Sequence, residues 1–126
     1  MLQIPLDSPP VAGTDATDTS HLVNATGGKV RVVALRIVPK TAVAVHASNY
    51  ITTTVKKGAT SIASHTTNSS GGSALEAGTV LDMTITGTGK NLELDAGGVL
   101  KVDLTKAGTG PTYSHRVIAT VEPIRA

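Results

Sequence analysis

The sequence predicts an all-β chain: a single-domain antiparallel β-sandwich, jelly-roll-like, of seven or eight strands with an extended N-terminal arm. The first observation behind this is composition. Of 126 residues 19 are Thr and 13 are Gly, there is no Phe or Trp and there are only two Tyr, so the apolar content is carried by Val, Ile, Leu and Ala. Thr and Val suit a pleated, half-buried surface. The second is strict polar/apolar alternation. The third is a turn-plus-strand unit written twice, Glu76-Ala-Gly-Thr-Val-Leu-Asp-Met-Thr-Ile85 and Asp95-Ala-Gly-Gly-Val-Leu-Lys-Val-Asp-Leu104, each copy leading into a further Gly-rich turn. Two copies are too few for a repeat array.

The elements follow in order. Residues 1–27 hold Pro5, Pro9 and Pro10 in an Asp/Thr/Ser-rich setting without periodicity, and are expected to form an extended arm, with the sandwich over 28–126. The apolar residues of that arm, Leu2, Ile4, Leu6, Leu22 and Val23, together with the prolines, make it the expected contact with a partner or a neighbouring subunit. Removing residues 1–20 is expected to leave a folded sandwich that no longer binds. From Lys29 to Val45 the chain is apolar on both parities, Val30, Val32 and Ala34 on one and Val33, Leu35 and Ile37 on the other. A strand of this kind is buried on both faces, as at a subunit interface, or shifts register at a bulge near Ala34; Pro39 ends it or bends it.

Tyr50–Lys56, with Ile51, Thr53 and Val55 facing inward, and Thr60–Thr66 form a hairpin through Lys57-Gly58-Ala59. Asn68–Ser73 is a polar loop. Beyond it Leu81, Met83 and Ile85, then Leu92 and Leu94, then Leu100, Val102 and Leu104 fall on inward faces, while Asp82, Thr84, Lys101, Asp103 and Thr105 face water. A last strand runs from about Tyr113 to Val121, before Pro123.

No residue pattern carries catalysis, a cofactor or a metal. Without cysteine there is no disulfide or thiolate site, and His21, His46, His65 and His115 are too widely spaced for a short metal motif; three of them flank Ser or Thr, as turn histidines do. No Gly-x-Ser-x-Gly elbow is present, and Asp82 and Asp103 sit on the outward face with no sugar-stacking aromatics beside them. The Gly-Thr-Gly turns open no helix, so they are not phosphate loops. A net charge of +2, with both signs interspersed, argues against nucleic-acid binding, and no apolar run approaches membrane-spanning length or a secretion signal. The sequons at Asn24 and Asn68 are explained by a Ser/Thr-rich composition.

The tract Asn49–Ser64, the segment Ala77-Gly-Thr-Val-Leu81 and above all Ala96–Gly110, ending Leu104-Thr-Lys-Ala-Gly-Thr-Gly110, resemble small β-sandwich proteins of tailed bacteriophages that act as capsid decoration or cement proteins. The resemblance covers roughly residues 28–122. It implies a non-enzymatic structural protein of the virion, made in the host cytoplasm and seated on the capsid surface. Its partner would be the major capsid protein, and the chain would form a homo-oligomer, a trimer before a dimer. Related sandwiches also serve in phage tails, fibres and base plates, where the partner is a host surface or a carbohydrate.

Overall fold

A computed structural model of the chain describes residues 2–7, 17–108 and 113–124. Within them ten strands form two antiparallel sheets packed face to face. Sheet 1 has the order β1 (Leu2–Asp7), β10 (His115–Pro123), β3 (Val30–Pro39), β6 (Leu81–Asp82), and β8 (Glu93–Leu94) also pairs with β3. Sheet 2 has the order β2 (Thr17–Val23), β9 (Val99–Lys106), β4 (Ile51–Lys57), β5 (Thr60–Thr66), β7 (Thr84–Ile85).

The two halves of the chain pair in reverse order: β1 with β10, β2 with β9, β3 with β8 and β4 with β5. This is one long antiparallel hairpin folded over itself, with its tip at Gly58, and the fold closes when β10 also pairs with β3 and β9 with β4. The expected jelly-roll order is therefore present. Eight jelly-roll strands become ten because one of them is broken into β6, β7 and β8.

The core between the sheets is aliphatic. Val32, Leu35, Ile37, Val117, Ala119 and Val121 of sheet 1 face Val55, Ile62, Leu100 and Val102 of sheet 2, all nearly or wholly inaccessible to water. Each such side chain contributes roughly 1.5–3 kcal/mol on full burial. A smaller cluster of Val43, Ile51, Leu75, Leu104 and Tyr113 closes the end of the sandwich away from the hairpin tip. The segment after Pro39 is not a second strand: Pro39 ends β3, and Val43 only bridges Leu75.

Two bulges reconcile alternation with this core. In β3 the pairing jumps from Ala34↔Thr120 to Val32↔Val121, so Val33 is the extra residue, next to the position the sequence indicated. It moves the buried parity from Val30 and Val32 to Leu35 and Ile37. In β5 the jump from Val55↔Ala63 to Lys56↔Ser61 leaves Ile62 unpaired, so adjacent Ile62 and Ala63 are both buried.

The twin segments share their turns and not their strands. Glu76-Ala-Gly-Thr79 and Asp95-Ala-Gly-Gly98 close with the same bond, the fourth residue's N–H donating to the first residue's C=O, at 3.1 and 2.8 Å. Gly78 and Gly97 have φ of +76° and +78°, the left-handed conformation a type II turn requires at its third position. After the turn the first copy crosses between sheets: Leu81 and Asp82 pair with β3, the Met83 N–H donates to Leu35 O at 2.9 Å, and Thr84 and Ile85 pair with β5. The second copy becomes β9, a continuous strand between two others in sheet 2.

A buried asparagine locks the corner between β2 and β3. Asn24, fully inaccessible, donates from its amide nitrogen to the carbonyls of Gly28, Leu94 and Asp95 at 2.8, 3.2 and 2.9 Å. Its amide oxygen accepts from Thr26 Oγ1 and N, and its backbone pairs with Gly97 N and Gly98 O. The sequon at Asn24 is thus spent inside the protein.

The expected arm is corrected in the same terms. Leu2–Asp7 and Thr17–Val23 are outer strands of the two sheets, in register with β10 and β9, because an extended segment beside a sheet edge satisfies its backbone by pairing. Residues 8–16 of the arm lie outside the described residues. Two consequences can be measured. Deleting residues 1–20 strips all of β1 and part of β2 from strands that carry Val117, Ala119, Val121, Leu100 and Val102. The truncated chain should lose its cooperative thermal transition and bind an apolar dye; a sharp transition near that of the full chain would detach the arm from the fold. Asn24→Asp keeps the shape but removes the donor to buried carbonyls, and should cost about 3 kcal/mol in urea unfolding.

Candidate interaction surfaces

The outer faces of the two sheets differ in chemistry. On sheet 1 the outward positions after the bulge are Ala34, Arg36 and Val38 on β3 and Arg116, Ile118 and Thr120 on β10. The register sets Ile118 opposite Arg36, Val38 opposite Arg116 and Ala34 opposite Thr120. A strip of half-buried aliphatic side chains is therefore bordered by guanidinium groups. Arg36 is held across it, its Nε donating to Asp82 Oδ1 at 2.7 Å and its Nη1 to Thr120 Oγ1 at 3.4 Å. Arg31 reaches Glu93 and Glu122 at 3.7 and 3.9 Å. Arginine is among the residues enriched at protein–protein contact surfaces, and here it stands beside aliphatic groups.

On sheet 2 the outward side chains are mostly hydroxyls and charges, with Val23 and Val99 exposed at one end. Thr52 and Thr54 on β4, Asp103 and Thr105 on β9, Ser64 and Thr66 on β5 and Thr84 on β7 lie in ranks set by the register. Thr52 Oγ1 donates to Thr66 Oγ1 at 3.2 Å, and Thr19 Oγ1 donates to Asp103 Oδ1 at 2.8 Å. Lys56 Nζ lies 3.0 Å from the other oxygen of Asp103. Burial pushes the Asp103 carboxyl up, but the Thr19 hydrogen bond, the Lys56 hydrogen bond and charge and the Lys101 charge outweigh it and hold the group below the usual aspartate value.

The histidines do not converge. His21 and His46 are exposed, and His46 Nδ1 accepts from the N–H groups of Ser48 and Asn49 at 3.0 and 2.8 Å, fixing a turn. His115 is not the solvated turn residue its serine neighbour suggested: it is fully buried, 3.2 Å from Thr53 Oγ1, with Tyr113 edge-on at 5.3 Å between ring centroids. Burial pushes the Tyr113 phenol well up. His65 Nε2 lies 2.9 Å from Ser73 Oγ beside a polar groove of about 380 Å³ that Asp82 and Thr84 also line. A nucleophilic serine needs a carboxylate on the far ring nitrogen. Here Nδ1 is buried and has no hydrogen-bond partner among the described residues. Burial pulls the His65 imidazole below its ordinary value, against the backbone hydrogen bond at Ser73. Among the described residues no three His, Asp or Glu side chains gather as metal ligands, and no helix is long and apolar enough to cross a membrane.

The residues proposed from sequence as contacts divide. Leu2, Ile4, Pro5 and Leu6 belong to β1, whose register sets Pro5 opposite Ile118, beside the aliphatic strip of sheet 1. Pro9 and Pro10 lie outside the described residues. Leu22 is buried in the core, where it cannot touch a partner, whereas Val23 is 46% exposed. Sequence reasoning passed over Arg36 and Ile118. The signal was the double apolar parity from Lys29 onward: a strand whose second face is also aliphatic presents that face outward once the bulge is in place.

Compared with protein-family models and with curated proteins, the sequence matches none.

Asp103 gives a pH test. Its folded value is lowered, so its contribution to stability is complete above the unfolded value near about pH 4 and is lost as pH falls through the folded value. Asp103→Asn should therefore cost about 0.5–1 kcal/mol at neutral pH and almost nothing near about pH 2. Urea midpoints of both proteins across that range check it; a constant difference would reject the charge account.

Proposed function

We propose that this chain is a structural virion protein of a tailed bacteriophage, one that decorates the capsid and stabilises it by binding the outer surface of assembled major capsid protein. The observation that carries the proposal is the outer face of sheet 1, where Ala34, Val38 and Ile118 form an aliphatic strip beside Arg36 and Arg116. The resemblance in Asn49–Ser64 and Ala96–Gly110 points the same way. A jelly roll alone would not suffice, since one fold serves many functions.

The physics of such a role is linkage. A protein that binds the assembled shell and not its free subunits adds its binding free energy to shell stability, and many weakly bound copies sum to a large effect. A rigid sandwich loses little conformational entropy on docking. In this role sheet 1 meets the shell and the hydroxyl-bearing face of sheet 2 meets solvent.

Sedimentation with emptied phage heads tests the proposal. The protein should co-sediment with heads in hundreds of copies; presence only on tails, in a few copies, would transfer it to the tail, fibre or base-plate class that binds a host surface or carbohydrate. Ile118→Asp should weaken head binding by about tenfold or more while leaving the thermal transition within a few degrees. Unchanged head binding by that variant would remove sheet 1 as the contact.

A further inference from the structure

The end of the sandwich around the hairpin tip carries a cleft that the outer face of sheet 1 does not include. It has a volume of about 360 Å³ and lies among Lys29 before β3, Lys57 at the end of β4, Lys90 in the 3-10 turn Gly89–Leu92, Glu93 and Leu94 of β8, and Val99 at the start of β9. Three features meet there. The first is cationic. Lys57 Nζ donates to the Lys90 carbonyl at 2.6 Å, which holds it in place with its charge uncompensated. Among the described residues neither Lys57 nor Lys90 has a carboxylate within ion-pair distance, whereas Glu93 is taken up by Lys29 at 3.3 Å and Arg31 at 3.7 Å. Asp95 lies 3.9 Å from Lys29 at the cleft wall and is largely exposed.

The second feature is apolar. Val99, which lines the cleft, is 43% exposed and pairs in register with Val23, 46% exposed, so two exposed aliphatic side chains stand next to each other at the cleft's edge. The third is a pair of like charges on the adjoining face: the register sets Lys101 opposite Lys56. Asp103 makes its ion pair with Lys56, and like charges directly opposite across strands are unfavourable.

We infer that this cleft binds an acidic peptide segment with aliphatic side chains interspersed. Carboxylates would meet Lys57 and Lys90, and an aliphatic side chain would lie against Val99 and Val23. Charge complementarity selects the segment, and the valine pair separates it from a bare anion. The residues lining the cleft include no aromatic ring on which a nucleic-acid base could stack. The cleft would take such a segment from any partner, on a shell or elsewhere.

The test uses the full chain and needs no phage particle. Fluorescence anisotropy would be followed with a labelled peptide of alternating Asp-Glu pairs and Leu or Val, with its Asn/Gln counterpart, and with a labelled oligothymidylate of equal length. The acidic peptide should bind, the amide peptide and the oligothymidylate should not, and inorganic phosphate at matched ionic strength should not displace it. Lys57→Glu with Lys90→Glu, both at the surface, should weaken binding by about tenfold or more with an unchanged thermal transition, while Lys57→Arg retains it. Val99→Ser should weaken it by a smaller factor. Equal binding of the oligothymidylate, displacement by phosphate, or indifference to the double charge reversal would each overturn the inference. Head sedimentation reports on sheet 1 and peptide anisotropy on the cleft, so failure of the capsid proposal is distinguishable from failure of this inference.

Discussion

The constraint on which the rest of this protein depends is the reversed pairing of its two halves. Because β1 meets β10, β2 meets β9, β3 meets β8 and β4 meets β5, every register is tied to the one before it, starting from the tight turn at Gly58. Folding that double strand into two layers buries one face of each, and what fills the space is almost wholly Val, Ile, Leu and Ala. Small branched side chains fill an interior only where the sheets place them well. The bulges at Val33 and Ile62 keep buried positions continuous past the points where plain alternation would have turned them outward. Asn24 does the equivalent for the backbone, supplying donors to carbonyls that the corner would otherwise leave unpaired.

An aliphatic core of this kind leaves function to the surface, and the surface is divided. Sheet 1 turns aliphatic groups and pinned arginines outward, sheet 2 turns ranks of hydroxyls outward, and the tip gathers lysines with exposed valines. This division suits the docking role proposed above. Three polar side chains are held by local contacts: His46 fixes a turn, His115 is packed with Tyr113 and Thr53, and Asp103 anchors Lys56 and Thr19.

Much of the fold was legible in the sequence, for reasons that reside in particular residues. The hairpin through Lys57-Gly58-Ala59, the inward set Ile51, Thr53 and Val55, and the inward set Leu100, Val102 and Leu104 all follow from alternation bounded by turn residues. The conflict of parity from Val30 to Ile37 even located the bulge to within a residue. The outward face of sheet 1 was half legible: the aliphatic second parity was visible, but not that Ile118 and Arg116, some eighty positions further on, would lie beside it. Nor could the three lysines of the cleft be seen as neighbours, since nothing local in Lys29, Lys57 and Lys90 marks a common site.

By itself, then, the sequence determined the class of structure, the turn positions, the aliphatic nature of the core and the want of a local catalytic motif, because those depend on periodicity and residue chemistry within a few positions. Only the tertiary structure decided the fate of the twin segments. Their turns are the same because a Gly at positive φ is a local requirement, yet one copy crosses between sheets at Met83 and the other runs unbroken as β9. The same holds for residues 1–27, expected as an extended arm, whose described parts include the edge strands β1 and β2. Strand pairing is a contact between distant residues, and its partner is chosen by the whole chain.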